Sequence, residues 1–385
     1  MTNTRRIGVV ITSAFPLNAF LRPHLAYLQN DYNITVYVNT SDMMVTPDVS
    51  VDVRVVHLPL RRDIHLISDV GVLARLFRIF WREKYDLVFS MNPKSGLLAM
   101  VAALATRVPQ RVHCFTGQVW ATRRGLTRKF LRRLDWLTAT CATQVLADSP
   151  SQRDFLIAEG VVASERIRVL ADGSIAGVDV QRFHPDHLRR DLVRTSLGIP
   201  PGAPVLLYVG RMKREKGVVD LLAAFSGLRR RWPELRLLLV GPDDDGLDSQ
   251  CVGVAGALRI GYTKVVEDYL AAADVFCLPS YREGFGLVLV EAGAMGLPVV
   301  ASRIYGITDA VVDKETGLLH RPGDIEDLSA KIEALLSNAE LRVRLGENGR
   351  ERATLLFPTE RLTVAFGNLL QELLNPASSR TGGVT

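Results

Sequence analysis

Two carboxylates and two cations are spaced along this chain as a site for an anionic, hydroxyl-rich ligand requires. Glu283 and Glu291 stand eight positions apart around Gly284-Phe285-Gly286, in the stretch LPSYREGFGLVLVEAGAMGLPVV. Arg211 and Lys216 follow the apolar run PVLLYVG and precede a helical pattern. Two cations flanking a strand-to-helix turn suit a diphosphate, the guanidinium in bidentate contact and the ammonium as a point charge. Lys213 and Arg214, between them, read as a solvated basic loop. Gly284 and Gly286 let backbone approach a ligand closely, and a helix opening near Phe285 offers free N–H groups to phosphate. At the helical rise, Glu291 falls about 12 Å beyond Glu283, roughly the span from a nucleotide's phosphates to its ribose. A carboxylate there accepts hydrogen bonds from both vicinal hydroxyls. Glu283 is compatible with phosphate only if it bonds sugar hydroxyls or Lys216.

These residues need a scaffold, and the apolar runs supply it. RIGVVITSA, NITVYVN, VRVVHLP, DLVFSMN, QRVHCFT, TQVLADS and RIRVLAD read as strands, with helical stretches Phe20–Gln29, Val70–Trp81 and Gly96–Ala105 among them. After residue 200 the alternation restarts with PVLLYVG, LRLLLVG, ALRIGY, DVFCLPS, LPVVAS and TGLLH. Val218–Arg231, Val265–Ala272, Phe285–Met295 and Ile325–Leu336 are its helices. Strands without polar alternation, separated by helices, predict parallel sheets covered on both faces, an α/β fold of two Rossmann-like halves. The turn-rich stretch ADGSIAGVDVQRFHPD is the expected linker. The domains are then 1–180 and 181–358, an apolar-faced helix Thr359–Leu374 needs a surface to pack on, and 376–385 reads as a disordered tail.

Composition narrows the class. With 385 residues, 48% hydrophobic and 23% charged, the chain fits a two-domain globular protein and no fibrous or disordered class. The uncharged run Ser95–Thr106 is too short to span a membrane. MTNTRRIGVVITSAF imitates a signal peptide but reads better as a buried first strand. Cys114, Cys141, Cys251 and Cys277 show no metal-ligand spacing, which points to a reducing, cytoplasmic compartment and no zinc. No G-x-G-x-x-G opens either half, and Gly210–Gly217 lacks the Lys-Ser/Thr of a P-loop. Residues 101–150 carry eight basic residues against two acids, a surplus equal to the whole net charge of +6.

Gly210-Arg211…Glu215-Lys216-Gly217, Pro279-Ser280…Glu283-(seven residues)-Glu291-Ala292 and Gly296-Leu297-Pro298-Val299-Val300 together resemble the retaining GT-B glycosyltransferases of family 4. The resemblance covers nearly the whole chain. It implies two facing Rossmann-like domains with an interdomain cleft, an N-terminal acceptor half and a C-terminal nucleotide-sugar half. It also implies that the last helix packs back on the N-terminal domain, and that there is no metal and no cofactor beyond the nucleotide sugar, a UDP-hexose or UDP-N-acetylhexosamine. The catalytic residues implied are Glu283, Lys216 and Arg211. Gly284, Phe285, Gly286, Leu287, Glu291 on the ribose, and Tyr262 join them in holding the donor. Asn92-Pro93-Lys94-Ser95-Gly96, Arg111…Thr116-Gly117 and Gly173-Ser174-Ile175-Ala176-Gly177-Val178-Asp179 are similar to a subgroup that builds bacterial surface polysaccharides on polyprenyl diphosphate. Lys94, Thr116, Gly117, Arg123 and Arg124 are its acceptor-side candidates. Thr116 stands where many relatives carry histidine, Ser13-Ala14-Phe15-Pro16 lacks the usual paired glycines, and Asp309 replaces a glutamate.

The segment 123–137, with Leu126, Phe130, Leu134 and Leu137 at helical spacing beside Arg128, Lys129, Arg132 and Arg133, reads as a basic amphipathic helix near Trp120 and Trp136. Such a helix has two readings: it docks on an anionic bilayer, each basic residue adding about 1 kcal/mol, or it packs on the sheet with its charged face in solvent. No aromatic-interleaved nucleic-acid motif accompanies it. The expected activity is transfer of a sugar to a lipid-linked acceptor at the inner face of the cell membrane. A nucleotide-sugar epimerase or hydrolase on the same fold, or a two-domain sugar-binding protein, is the alternative.

Overall fold

Every apolar run becomes one parallel strand. The computed structural model describes residues 4–41, 53–61, 63, 65–251 and 253–375; the tail 376–385 lies outside them. In the first sheet β1 (Arg6–Val10), β2 (Asn33–Val38), β3 (Arg54–His57), β4 (Leu87–Met91), β5 (Gln110–Phe115), β6 (Gln144–Ala147) and β7 (Ile167–Val169) lie in the order β3-β2-β1-β4-β5-β6-β7. In the second, β8 (Val205–Val209), β9 (Arg236–Val240), β10 (Ala257–Ile260), β11 (Val275–Leu278), β12 (Val299–Ser302) and β13 (Gly317–His320) lie in the order β10-β9-β8-β11-β12-β13. All residues of β4, β11 and β12 are buried, which is why these runs lack polar alternation. The opening run supplies β1, central in its sheet, with Ile7–Val10 buried. In each sheet the strand order reverses once, between β1 and β4 and between β8 and β11. Such reversals open a crevice beyond the carboxyl ends of the strands.

The chain divides into two compact units, Met1–Gly177 with Thr359–Thr385, and Val178–Pro358. The second unit begins and ends side by side: the Val178 N–H donates to the Phe357 carbonyl at 2.7 Å, and Val178 bridges to Pro358. Within the first unit, helix Thr359–Leu374 sets Phe366 edge-on to His24 (5.0 Å) and Phe89 (5.2 Å). Ion pairs Arg361–Asp172 (2.5 Å) and Arg168–Glu372 (2.9 Å) flank it. The helix expected at Phe20–Gln29 is Arg22–Leu28, preceded by a π turn, Leu17–Leu21. Pro23 has no N–H for the carbonyl four residues back, and the wider turn forms around that missing bond.

Helix Leu287–Ala294 owes its place to glycines. It packs on Ala339–Leu356, where a Cβ on Gly293 would come within 3.0 Å of the Gly349 carbonyl oxygen. One on Gly346 would overlap the Gly296 carbonyl just beyond the helix end. Ala339–Leu356, Pro150–Ala158 and His187–Ser196 are helices that the sequence pattern did not mark. The four cysteines are free and buried, and burial raises their thiols above the ordinary value. A thiol-specific chromogenic reagent is therefore expected to label none of them in the native protein and all four after unfolding.

Candidate active site

Three loops converge at the β8/β11 reversal, all within the second unit. Beyond β8, residues 211–217 close in a 3₁₀ turn, Arg214–Lys216, ending at Gly217 with φ 70°. The loop after β11 lies against this turn: the Tyr281 N–H donates to the Glu215 carbonyl (2.9 Å), and Arg282 pairs with Glu215 (2.8 Å). The loop after β12 brings Gly306, φ 82°, so close that an added Cβ would reach 2.6 Å from the Gly284 carbonyl oxygen. At Gly217 an added Cβ would overlap the Pro279 carbonyl oxygen, and the left-handed backbone excludes side chains further. Gly217→Ala is expected to destabilise the second unit by about 2 kcal/mol or more and to separate the two loops. Thermal melting together with donor binding checks this.

The Lys216 ammonium meets the Glu283 carboxylate at 2.6 Å, and the Ser280 hydroxyl donates to the same oxygen at 2.9 Å. Both charged side chains are largely enclosed, at 17% and 13% exposure. This is the pairing expected of Glu283 beside phosphate, and Ser280 is a third member that spacing alone did not mark. Arg211 turns its guanidinium to Asp244 (3.2 Å), which also holds Lys213 (3.6 Å). Lys213 is thus no free solvated cation, as its spacing had implied; only Arg214 of the two is exposed.

The helix begins at Leu287 rather than Phe285, with Gly286 at φ 86° before it. Phe285 is buried and packs edge-on against Phe357 at 5.1 Å, so its side chain belongs to the core and only its backbone borders the crevice. Since Glu283 precedes the helix, the helical rise does not set its distance to Glu291, which sits about 6 Å above the helix start. Burial pushes the Glu291 carboxyl up to about 7, Arg182 draws it down, and Glu267 raises it. Arg182 is fixed by Glu267 (2.6 Å) and the Lys264 carbonyl (2.5 Å). Nothing in the sequence marked Arg182, which lies in the stretch read as linker. Tyr262 is half-buried after β10, two strands out from β8 at the sheet edge.

In the first unit the acceptor-side candidates scatter. Thr116 and Gly117 (φ 112°) follow β5 at the carboxyl edge. Lys94 pairs with Asp69 (2.6 Å), tying helix Pro93–Ala105 to helix Leu66–Glu83. Arg123 and Arg124 are exposed just ahead of helix Gly125–Cys141, which replaces the expected 123–137. Trp120 is no surface anchor: it is 1% exposed, stacks on Phe155 at 5.3 Å and donates to Asp135 at 2.7 Å. Arg128 (2.6 Å) and Arg132 (3.2 Å) pair with Glu159, removing two of the segment's cations from its free surface. No described helix is long and apolar enough to cross a membrane.

The family model for glycosyl transferases group 1 matches residues 189–352, and that for the glycosyl transferase 4-like domain matches residues 25–173. The chain belongs to the family-4 glycosyltransferases, with the GT-B fold. The enzyme is 28% identical to the capsular polysaccharide biosynthesis glycosyltransferase CapM of Staphylococcus aureus, over 94% of this chain and 97% of CapM. It is 29% identical to the UDP-Gal:α-D-GlcNAc-diphosphoundecaprenol α-1,3-galactosyltransferase of Escherichia coli, over 71% and 72% of the two chains. Its fold matches that of Anabaena HepE, solved in complex with UDP-glucose, at a TM-score of 0.77 and 19% identity, over 95% and 99% of the chains.

Proposed function

We propose that the enzyme is a retaining transferase that moves a sugar from a nucleoside diphosphate, UDP foremost, to a saccharide carried on polyprenyl diphosphate. The enclosed Lys216–Glu283–Ser280 cluster at the β8/β11 reversal carries this reading. In the free enzyme Glu283 neutralises Lys216. With donor bound, Lys216 and Arg211 turn to the diphosphate, the N–H groups opening helix Leu287–Ala294 face it, and Glu283 accepts from the sugar hydroxyls. Glu291 takes the ribose. The anomeric carbon–oxygen bond to the diphosphate breaks while the acceptor oxygen bonds the same carbon on the same face. The acceptor's proton passes to the departing diphosphate oxygen, so no protein base is needed. The two cations and the helix N-terminus stabilise the charge growing on that oxygen. The UDP-sugar in the E. coli relative's name supports the donor class, and its lipid-linked acceptor supports the acceptor class. Gly125–Cys141, with Lys129 and Arg133 exposed, brings the enzyme to the membrane that holds such an acceptor.

The deciding experiment incubates the enzyme with UDP-, GDP- and dTDP-sugars, with and without a polyprenyl-diphosphate saccharide, and follows nucleotide release. Acceptor-dependent release is expected, with the donor's anomeric configuration kept in the product. Conversion or hydrolysis that ignores the acceptor would replace this reading with an epimerase or hydrolase.

A further inference from the structure

We infer that helix Leu66–Glu83 joins Gly125–Cys141 in one docking surface for an anionic lipid bilayer, and that Leu66–Glu83 supplies its apolar anchor. The inference deepens the membrane-docking part of the proposed function and rests on it. Both helices pack against Pro93–Ala105, so the three form one layer of the first unit. The inner stripe of Leu66–Glu83 is Val72, Leu76 and Phe80, all buried. A surface helix built that way carries polar residues on its other face. This one instead exposes Ile67 (84%), Val70 (65%), Phe77 (43%) and Trp81 (57%) at helical spacing, the last two rings stacked at 6.3 Å. Single exposed apolar residues are ordinary, whereas a stripe down a whole helix marks an interaction face. Across the layer, Gly125–Cys141 exposes Leu126, Phe130 and Trp136, and the helix between them has no charge from Ser95 to Thr106 and exposes Leu104.

Charge selects the occupant. Arg75, Arg78, Arg82 and Lys84 at the first helix, and Arg123, Arg124, Lys129 and Arg133 at the second, are all exposed. Among the described residues none of the eight is ion-paired. Each acid of the two helices is turned inward: Asp69 to Lys94, Glu83 to Arg6, Asp135 to Trp120. Lys84 lies over the Trp81 ring at 4.5 Å. A protein partner of mixed charge would leave this one-signed rim unmatched, and a nucleic acid would leave the aliphatic stripe exposed to water. An anionic bilayer takes both, with cations at the headgroups, Ile67, Val70 and Phe77 at the acyl boundary, and Trp81 and Trp136 at the interface between them.

The test is flotation of the full chain with phosphatidylcholine vesicles, with and without phosphatidylglycerol, alongside tryptophan emission. The parent chain is expected to float only with the anionic vesicles and to shift its emission to the blue. Ile67→Ser/Val70→Ser/Phe77→Ser is expected to partition roughly tenfold less or weaker still. Arg75→Gln/Arg78→Gln/Arg82→Gln, which leaves the apolar stripe whole, should lose the preference for anionic lipid. Circular dichroism of both variants checks their fold, and transfer to a detergent-dispersed acceptor should stay at the parent rate. Flotation of the Ser variant equal to the parent's would overturn the inference. So would a parent that does not float but forms a dimer that the Ser variant abolishes, which would make the face a contact between two copies. If the flotation results hold while the parent chain itself transfers no sugar, the docking surface stands and the transferase reading fails.

Discussion

Lys216→Ala is expected to cut acceptor-dependent nucleotide release at least about a hundredfold, equivalent to about 2.7 kcal/mol of transition-state stabilisation. Two effects add. The ammonium proposed to meet the leaving diphosphate is gone, and Glu283, left with only the Ser280 hydroxyl, presents a bare carboxylate to an incoming polyanion. Glu283→Ala is expected to lose a similar factor for the opposite reason: Lys216 is freed, but the acceptor for the sugar hydroxyls disappears. Because each residue changes what the other does, the double variant should cost clearly less than the two single losses combined. Breaking the pair costs stability as well. The pair is largely enclosed but not sealed from water, so the cost is about 1–2 kcal/mol, a melting shift of a few degrees. Single-turnover rates beside circular dichroism separate the two quantities. Near-normal turnover in either single variant would sink the site assignment.

The strands and the loops that follow β8 and β11 were legible because their signals are local. Each strand is a short run of Val, Ile and Leu ended by glycine, proline or a polar residue, and burial on both faces removes the alternation that would mislead. Lys216 and Glu283 were legible as chemistry, but their contact depends on Gly217 lying against Pro279, which spacing does not encode. The helices that were missed are held by distant partners. His187–Ser196 is mostly polar and is anchored by Arg190 (2.6 Å) and Arg194 (2.7 Å) on Asp274 at the start of β11. Ala339–Leu356 contains Gly346 and Gly349, which lower its helical propensity and find their use only in the close packing of Leu287–Ala294 and the Gly296 turn against them. Trp120 looked like a membrane anchor because a tryptophan beside a basic helix carries no mark of which way it points. Its indole N–H finds Asp135, and the ring goes inside.

Glu291→Gln is expected to make the protein more stable and the enzyme worse, with both effects set by pH. Burial lifts this carboxyl from 4.5 to about 7, because Arg182, already committed to Glu267, only partly offsets the desolvation. Between pH 4.5 and 7 the folded chain holds a proton that the unfolded chain has released, so stability falls as pH rises through that window. Below it both states are protonated and Glu291 contributes nothing. Above it the cost is complete, on the order of 1–3 kcal/mol. Glutamine is neutral throughout, so the variant should melt above the parent at pH 8 and close to it at pH 4.5. Binding should run the other way. In the proposed complex the ionised carboxylate accepts from both ribose hydroxyls, so the parent's KM for donor is expected to fall as pH rises through 7. The variant, with one carbonyl oxygen, should show a KM about tenfold higher that no longer follows this ionisation, with kcat changed far less. The two readouts pull in opposite directions, and a loss of folding would lower both. If parent and variant share one pH profile for KM, Glu291 does not hold the ribose. If they melt alike at pH 8, its charge is not buried at a cost.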